Sequence, residues 1–245
     1  MALNLLRTVA LLLTGLVLPG LSACKKEANE QVGLSLIGGL PYYHFTDNDR
    51  LWLQARHDEI WRVENGRGQQ RAYRISVSEH LKRGDYSYST GIPGSSQLLG
   101  YYDHSTVRAN RIDTLSAGVR GYFDLRFYRD AAMRTNLSSG GYDKYASQFY
   151  ANGEFYEFVG NTDLVSDYYS CRGLKFPRGA SLNGPFQQLT VRGRQYNDVV
   201  VFTGTSRGPN CTPVSSSYMQ ALYYDRRAGL VRMVSLAGEV WERVP

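Results

Sequence analysis

One segment of the chain has the residue order of a catalytic motif. Gly204-Thr205-Ser206-Arg207-Gly208 follows the Gly-x-Ser-x-Gly order of a nucleophile elbow. An elbow serine needs a helix directly after it and, later in the chain, a histidine that accepts its proton. Here Pro209 and Pro213 follow at once, and the last histidine is His104. The sequence therefore argues against a catalytic Ser206, and we assign no catalytic residue.

The histidines do not form a metal-binding pattern. The 4 of them are far apart, and only His57 is followed by two carboxylates, Asp58 and Glu59. In a strand His57 and Glu59 would share a face, but no second histidine stands at ligand spacing. The run from Asp47 to Asp49 lacks the glycine and the further oxygens of a calcium loop. We therefore predict no metal and no cofactor.

Tyrosine is the one unusually abundant residue, with 19 copies in the chain. Four adjacent pairs occur, at Tyr42-Tyr43, Tyr101-Tyr102, Tyr168-Tyr169 and Tyr223-Tyr224. Neighbouring residues of a strand point to opposite faces, so each pair is expected to place one ring inward and one outward. Outward rings suit stacking with a sugar or a peptide. The alternative is that tyrosine simply fills the solvated face of a sheet.

The clearest strand pattern runs from Val119 to Tyr128. Phe123, Leu125 and Phe127 fall on one face, and polar or tyrosine residues fall on the other. This alternation predicts a strand with one buried face and one solvated face. On the solvated face we identify a candidate ligand-binding surface for a glycan or an extended peptide. Its residues are Arg120, Tyr122, Arg126 and Tyr128. An ordinary solvated sheet face is the alternative.

Other segments also show strand periodicity. Residues 59–64 and 70–77 predict a hairpin, because Asn65, Gly66 and Gly68 between them tolerate the positive φ of a tight turn. The run from Val199 to Phe202 predicts a strand that is buried on both faces. The last 30 residues predict a meander over 217–224, 230–235 and 239–244, with Trp241 in the core.

These patterns predict an all-β, mainly antiparallel domain, either a sandwich or a strongly curved, half-barrel-like sheet. No segment keeps a helical period over four turns. The competing helical interpretation covers residues 47–63, where Trp52, Ala55, Ile60 and Val63 fit one helical face tolerably.

Composition restricts the class of protein. The chain has 245 residues, of which 42% are hydrophobic and 20% charged, so it can bury a sizeable core. The formal net charge is +6, and the basic residues are mostly arginines scattered along the chain. No basic stripe of the kind that follows phosphates is visible, so we do not expect nucleic acid as a partner.

The first 23 residues have the pattern of a secretory signal peptide. Arg7 precedes an apolar run from Val9 to Leu18, and small residues follow. The tetrapeptide Leu21-Ser22-Ala23-Cys24 resembles the lipobox of bacterial lipoproteins, in which a signal peptidase cuts before a lipidated cysteine. The resemblance implies a lipid anchor on Cys24 and attachment to a membrane. The alternative is an ordinary signal peptide with a chance cysteine at its cleavage site.

Residues 24–31 are polar and predict a tether, followed by a single domain over residues 32–245. Lys25 stands where inner-membrane lipoproteins of enterobacteria usually carry aspartate, so the resemblance implies the outer membrane. Lys25-Lys26-Glu27 is a poor match to the charged cluster that can signal surface export in Bacteroidetes lipoproteins. Both the periplasmic and the surface leaflet therefore stay open.

Lipidation of Cys24 would leave two of the 3 cysteines, Cys171 and Cys211. In an exported protein an even pair predicts a disulfide. Two buried free thiols are the alternative.

The C-terminal part is similar to that of uncharacterised lipoproteins of Bacteroidetes. The similarity lies in residues 191–199, in Tyr223-Tyr224-Asp225 followed by Gly229-Leu230-Val231-Arg232, and in Gly238-Glu239-Val240-Trp241. It brings no catalytic residue with it. The sequence thus leads us to expect an exported, membrane-anchored envelope protein with a non-catalytic binding or structural role. An envelope polysaccharide or a protein would be its partner. The alternative is an envelope glycan hydrolase, whose paired carboxylates cannot be recognised without a fold.

Overall fold

The structure is a computed structural model and describes residues 33–88, 96–113, 119–133, 142–159, 173–182, 184–207, 210–212 and 215–244. Strands dominate these residues, which confirms the predicted all-β class. Among the described residues, no helix is long and apolar enough to cross a membrane.

The strands are β1 (Leu34–Ile37), β2 (Leu40–Tyr43), β3 (Ile60–Asn65), β4 (Gln70–Tyr88), β5 (Ser96–Arg111), β6 (Val119–Met133), β7 (Tyr142–Val159), β8 (Leu174–Ser181), β9 (Gln187–Val191), β10 (Arg194–Thr203), β11 (Thr205–Ser206), β12 (Met219–Asp225), β13 (Gly229–Ser235) and β14 (Val240–Arg243). A short helix, α1 (Asp47–Arg50), lies between β2 and β3.

All of these strands belong to one sheet. Its order is β11-β8-β7-β6-β5-β4-β3-β14-β13-β12-β10-β9, and β1 and β2 form a hairpin beside β5. The pairs are antiparallel except β2 with β5, which run parallel with Tyr42 opposite Tyr101. The pairing of β14 with β3 joins the last strand of the chain to an early one, with Trp241 opposite Asn65.

The sheet curves strongly enough to bring β8 and β10, which lie near opposite ends of its strand order, close together. β11 follows β10 after one residue, Gly204, yet it pairs with β8 at the other end of the strand order. The turn between them is tight, because a Cβ on Gly204 would lie 3.1 Å from the side chain of Leu174. The predicted strongly curved sheet is therefore present.

One large core fills the concave side of the sheet. Strands that are far apart in the strand order touch across it: the rings of Phe127 in β6 and Tyr224 in β12 are 5.8 Å apart, and Trp61 in β3 is 6.3 Å from Tyr224. Trp241 is 3% exposed and belongs to this core, as predicted. Burial of these large rings is the main source of stability of the fold.

The helical interpretation of residues 47–63 is wrong for most of its length. Only α1 is helical, and Thr46 caps it by accepting a hydrogen bond from the backbone N–H of Asp49 at 3.2 Å. Trp52 then leaves the helical path and enters the core against Tyr224, with ring centroids 6.4 Å apart. Burial of this indole in the shared core outweighs the gain from a longer helix, whose propensity terms are small.

The other predicted elements are confirmed. β3 and β4 form the expected hairpin, in which Asn65 accepts hydrogen bonds from the backbone of Arg67 and Gln69. β10 is buried on both faces, since Val199 belongs to a small cluster with Val231 while Phe202 belongs to the main core. β12, β13 and β14 form the C-terminal meander.

Candidate functional site

The candidate ligand surface predicted on β6 lies on the convex face of the sheet. Tyr122, Arg126 and Tyr128 are all half-buried there. The strand alternation places residue 120 on the same face, but the side chain of Arg120 lies outside the described residues. Asp124, in the middle of this face, is only 1% exposed, so the face is more closely packed than its sequence predicts.

Tyr128 belongs to a row of stacked rings that crosses four strands. Adjacent centroids are 5.6 Å apart from His80 to His104, 4.7 Å from His104 to Tyr128, and 5.3 Å from Tyr128 to Tyr150. The strand register produces the row, because each ring stands directly opposite the next. Both faces of the Tyr128 ring are therefore covered by neighbours.

Burial in this row makes His104 a weak base. Loss of solvation, together with the nearby His80, Arg83 and Arg126, lowers the pKa of His104 to about 4. Its Nε2 lies 3.0 Å from the hydroxyl of Thr106. Among the described residues, its buried Nδ1 has no hydrogen-bond partner. The ring is thus held neutral, which suits a stacking role.

Tyr122 is also enclosed. Its ring stacks on that of Tyr156 in β7 at 4.8 Å, and the guanidinium of Arg108 in β5 lies 4.8 Å from its centroid. Because β5 and β7 flank β6 on opposite sides, the two contacts cover both faces of the ring. Arg108 also donates two hydrogen bonds to Asp124, at 2.7 and 2.8 Å.

The chemistry of this convex face follows from that packing. A sugar ring stacks on the free face of an aromatic side chain, but the faces of Tyr122 and Tyr128 are occupied. The surface can therefore contact a ligand only through the edges and hydroxyl groups of these rings. A shallow cavity of about 230 Å³ lies beside it, and Asp85, Tyr102 and Asn152 are among its lining residues.

A larger cavity, of about 630 Å³, lies elsewhere on the molecule and was not predicted. Six arginines and one glutamate, Glu59, line it together with small and apolar residues. The arginines, which we call the arginine cluster, are Arg56, Arg62, Arg192, Arg194, Arg227 and Arg243. They come from five separate parts of the chain, so their proximity is a product of the fold.

The β9–β10 hairpin supplies one wall of the cavity. Its two-residue turn, Arg192-Gly193, has φ values of 47° and 80°. Such turns favour Asn or Gly at both positions, so an arginine here carries a conformational cost. The hairpin packs against β13 through Val191, Tyr196 and Val231. Arg192 ties it to β3 by an ion pair with Glu64 at 2.8 Å.

The other arginines are set by neighbouring segments. Arg243 in β14 donates to Glu59 at 2.8 Å, and its guanidinium lies 5.2 Å from the ring of Trp61. Arg227 lies in the β12–β13 turn, where Asp225 accepts a hydrogen bond from its backbone N–H at 3.0 Å. Arg194 lies over the ring of Tyr196 at 5.2 Å.

Most of the positive charge around the cavity is uncompensated. Arg192 and Arg243 have carboxylate partners, Glu64 and Glu59. Within the described residues, the other four arginines of the cluster make no salt bridge with a carboxylate. All four are exposed. Converging cations in a concave site concentrate positive potential and raise the local concentration of anions.

This arrangement has a definite binding chemistry. A guanidinium presents planar donors that match a carboxylate or a phosphate group bidentately, and its charge does not depend on pH in the physiological range. A cavity of this size is in the range of small-molecule sites. The arginine cluster is therefore built to receive a compact anionic group.

Ser206 and His57, for which the sequence argues against catalysis and metal binding, both lie among the described residues. Ser206 lies in β11 opposite Leu174 and does not open a helix. His57 is exposed, with Nε2 3.7 Å from Asp58. Within the described ranges, no group of three or more His, Cys, Asp or Glu side chains is arranged to hold a metal ion. Cys24 and Cys171 lie outside the described residues, so the lipid anchor and the pairing of Cys171 with Cys211 stay predictions.

Comparison with family models, with curated proteins and with solved structures finds no match to this chain.

Proposed function

We propose that this protein is an exported, lipid-anchored binding protein of the bacterial cell envelope, and that its arginine-lined cavity binds an anionic ligand without catalysis. The observation that carries the ligand class is the presence of six arginines, four of them without a carboxylate partner among the described residues, in the lining of one cavity of about 630 Å³. The lipobox-like residues 21–24 support the location.

The ligand we propose is an envelope polysaccharide that carries carboxylate or phosphate groups. A cavity of this volume can hold one charged sugar residue, whereas two proteins usually contact each other across broader and flatter surfaces. Arginine is the side chain best suited to carboxylate and phosphate geometry. The open side of the cavity lets the rest of a polymer continue into solvent.

The membrane attachment we propose is a lipid on Cys24, which places the domain at the outer membrane. Two or three acyl chains hold a protein permanently, since each buried methylene contributes about 0.8 kcal/mol. Replacement Cys24→Ala should move the protein from the membrane fraction to the soluble fraction. Retention of this variant in the membrane would contradict the anchor.

The binding proposal is tested with two polymers of similar length, polygalacturonate as the carboxylated probe and dextran as the neutral one. We expect the carboxylated polymer alone to bind, with an affinity that falls as salt is raised. The variant Arg62→Gln/Arg194→Gln should bind at least about tenfold more weakly, because each charged hydrogen bond contributes on the order of 1.5–3 kcal/mol.

The matched control is Lys82→Gln/Arg83→Gln, which removes the same charge outside the cavity. It should change the affinity less than about twofold if the site is local, since exposed charges away from a site are largely screened. Equal losses in both variants would indicate non-specific charge attraction and would contradict the proposed site. Binding of an acidic protein but of neither polymer would favour a protein partner. Release of shortened glycans would favour the hydrolase alternative.

A further inference from the structure

One end of the sheet exposes apolar side chains that the proposed anion site does not use. Among the described residues, four of the six exposed large hydrophobic side chains lie in β1, β4 and β5. They are Leu36, which is 69% exposed, Leu81 at 49%, Tyr86 at 47% and Leu99 at 46%. We call the surface of Leu36, Tyr86 and Leu99 the apolar end, with Leu81 farther along β4.

The strand register brings these residues together. Leu36 stands opposite Pro41 in the β1–β2 hairpin. A Cβ on Gly100 of β5 would lie 2.8 Å from the carbonyl oxygen of Pro41, so β2 and this part of β5 touch. Leu99 precedes Gly100 in β5. Tyr86 in β4 pairs with Leu98, the residue before Leu99. The apolar end is thus formed by adjacent segments of three neighbouring strands and the hairpin strand β1.

The apolar groups lie on both faces of this end. Leu36 shares the face of Pro41, whose ring is 3.0 Å from a Cβ position on Gly100. The ring of Tyr86 lies against Gly84, and Gly84 stands opposite Tyr101, the next residue after Gly100. Consecutive strand residues point to opposite faces. A partner docked on one face would leave the apolar groups of the other face exposed, whereas the interfacial layer of a bilayer can cover both.

The basic residues and tyrosine rings near this end suit a lipid interface, although Asp85, next to Tyr86, is also exposed. Lys82 and Arg83 are exposed next to Leu81, and Nζ of Lys82 lies 5.6 Å from the ring of Tyr101. Long basic side chains extend toward headgroup phosphates while their stems stay in apolar surroundings. Tyrosine rings favour the boundary between acyl chains and water.

The chain also enters the fold close to this end. Gly33, the first described residue, accepts a hydrogen bond from the backbone N–H of His44 at 2.9 Å, which fixes where the chain joins the sheet. Eight residues lie between Cys24 and Gly33, and the nine residue-to-residue steps span at most about 32 Å. Leu36 follows three residues after Gly33. A lipid on Cys24 would therefore hold the apolar end near the bilayer.

We propose that the apolar end inserts into the interfacial layer of the bilayer that carries the anchor, so that the domain rests on the membrane in one orientation. This inference rests on the lipid anchor of the proposed function. A short tether makes the second contact effectively intramolecular, so a weak apolar insertion is sufficient. Insertion by about 5–10 Å buries side chains of this kind at the headgroup boundary.

The test uses the lipidated full-length mature protein on vesicles of phosphatidylcholine and phosphatidylglycerol whose acyl chains are brominated near the headgroup. Bromine quenches tryptophan emission only on contact. The native Trp52, Trp61 and Trp241 are at most 3% exposed and give a protected background. Tyr86→Trp places a reporter at the apolar end. Val240→Trp is the matched control on β14, where Val240 is 40% exposed.

We expect brominated vesicles to reduce the emission of Tyr86→Trp relative to unbrominated vesicles, and to leave the native protein and Val240→Trp unchanged. Adding Leu36→Ser and Leu99→Ser to Tyr86→Trp should abolish the quenching while the anchor keeps the protein on the vesicles. Equal quenching of both reporters, or none at Tyr86→Trp, would overturn the proposal. If the native protein is a dimer, the serine variant is a monomer and no quenching is seen, the occupant of the apolar end is a second copy of the chain.

The failures of the two proposals are distinguishable. If Cys24→Ala stays in the membrane, the anchor is wrong, and the tethered docking that rests on it is wrong as well. If Cys24→Ala is released but anchored Tyr86→Trp is not quenched, the anchor stands and the docking is wrong.

Discussion

Arg129 of β6 binds Asp49 of α1 through three hydrogen bonds, from Nε to Oδ2 at 2.9 Å and from Nη2 to Oδ1 and Oδ2 at 2.6 and 2.7 Å. The Asp49 side chain is 1% exposed and that of Arg129 10%. Asp49 also accepts a hydrogen bond from the backbone N–H of Thr46 at 2.9 Å. One buried ion pair thus fixes the helix cap and holds the segment that leads to Trp52.

Removal of one partner of this pair should be costly. Arg129→Met leaves the carboxylate of Asp49 buried without its cation, and we expect a loss of about 3–5 kcal/mol in the free energy of unfolding. Urea unfolding of the purified domain measures this. The double variant Asp49→Asn/Arg129→Met should recover part of the loss, because no uncompensated charge remains. A loss below about 1 kcal/mol in the single variant would show that water reaches the carboxylate.

His104 should make the fold sensitive to acid. Its pKa is lowered by burial to about 4 in the folded protein, while an unfolded chain protonates histidine near 6.5. Between these values the unfolded state binds the extra proton, so the stability that His104 contributes is lost as pH falls from about 6.5 to about 4. His104→Phe keeps the stacked ring and removes the titration. Thermal unfolding at several pH values should show a smaller acid loss in this variant than in the native protein, and parallel curves would contradict the assignment.

The stacked tyrosines should matter more for stability than for anion binding. Tyr122→Ala/Tyr128→Ala removes rings from two stacks, each worth about 0.5–1.5 kcal/mol beyond the buried area. We expect a lower midpoint of unfolding and an unchanged affinity for polygalacturonate. Loss of polymer binding in a variant that remains folded would instead place the ligand on the convex face of β6.

The cysteine prediction concerns the pair Cys171 and Cys211. A disulfide between them would close a loop of about 40 residues and stabilise the fold by roughly 4 kcal/mol in the chain-entropy picture. Mass spectrometry of a non-reduced digest of the exported protein should find the two peptides joined. Recovery of both cysteines as alkylated thiols without reduction would refute the bond.

Local patterns in the sequence predict the β3–β4 hairpin, β6, β10 and the C-terminal meander, whereas β1, β2, β5, β7, β8 and β9 were not predicted. The alternation around Phe123 to Phe127, the glycine turn after Asn65 and the C-terminal meander all describe contacts between near neighbours, and the structure confirms them. The expected alternation holds for two of the three tyrosine pairs that the structure describes, since Tyr43 and Tyr224 are buried and their neighbours are not. It fails for the third pair, because Tyr101 and Tyr102 are both half-buried. Face alternation is local, whereas depth of burial depends on which strands lie alongside.

The features that the sequence does not predict depend on contacts between distant residues. The strand alternation predicts that Asp124 is solvated. In the structure it is buried, because Arg108 of the neighbouring strand forms an ion pair with it. The six arginines look scattered in the sequence because they belong to five separate segments, which only the fold brings to one cavity. The sole local signal was the Arg-Gly-Arg order at 192–194, which puts an arginine in a turn that favours asparagine.

The pairing of β14 with β3 has a consequence for how the protein folds. β3 pairs with β4 through a short hairpin. Its other edge stays unpaired until β14 is synthesised, because its partner Trp241 comes 176 residues after Asn65. Contacts of such long range slow folding. Until β14 arrives, β3 and β13 each present an open edge, which is the surface through which chains associate wrongly. Loss of β14 would therefore remove the strand that joins the two halves of the sheet and leave β3 and β13 with unpaired edges in the middle of the protein.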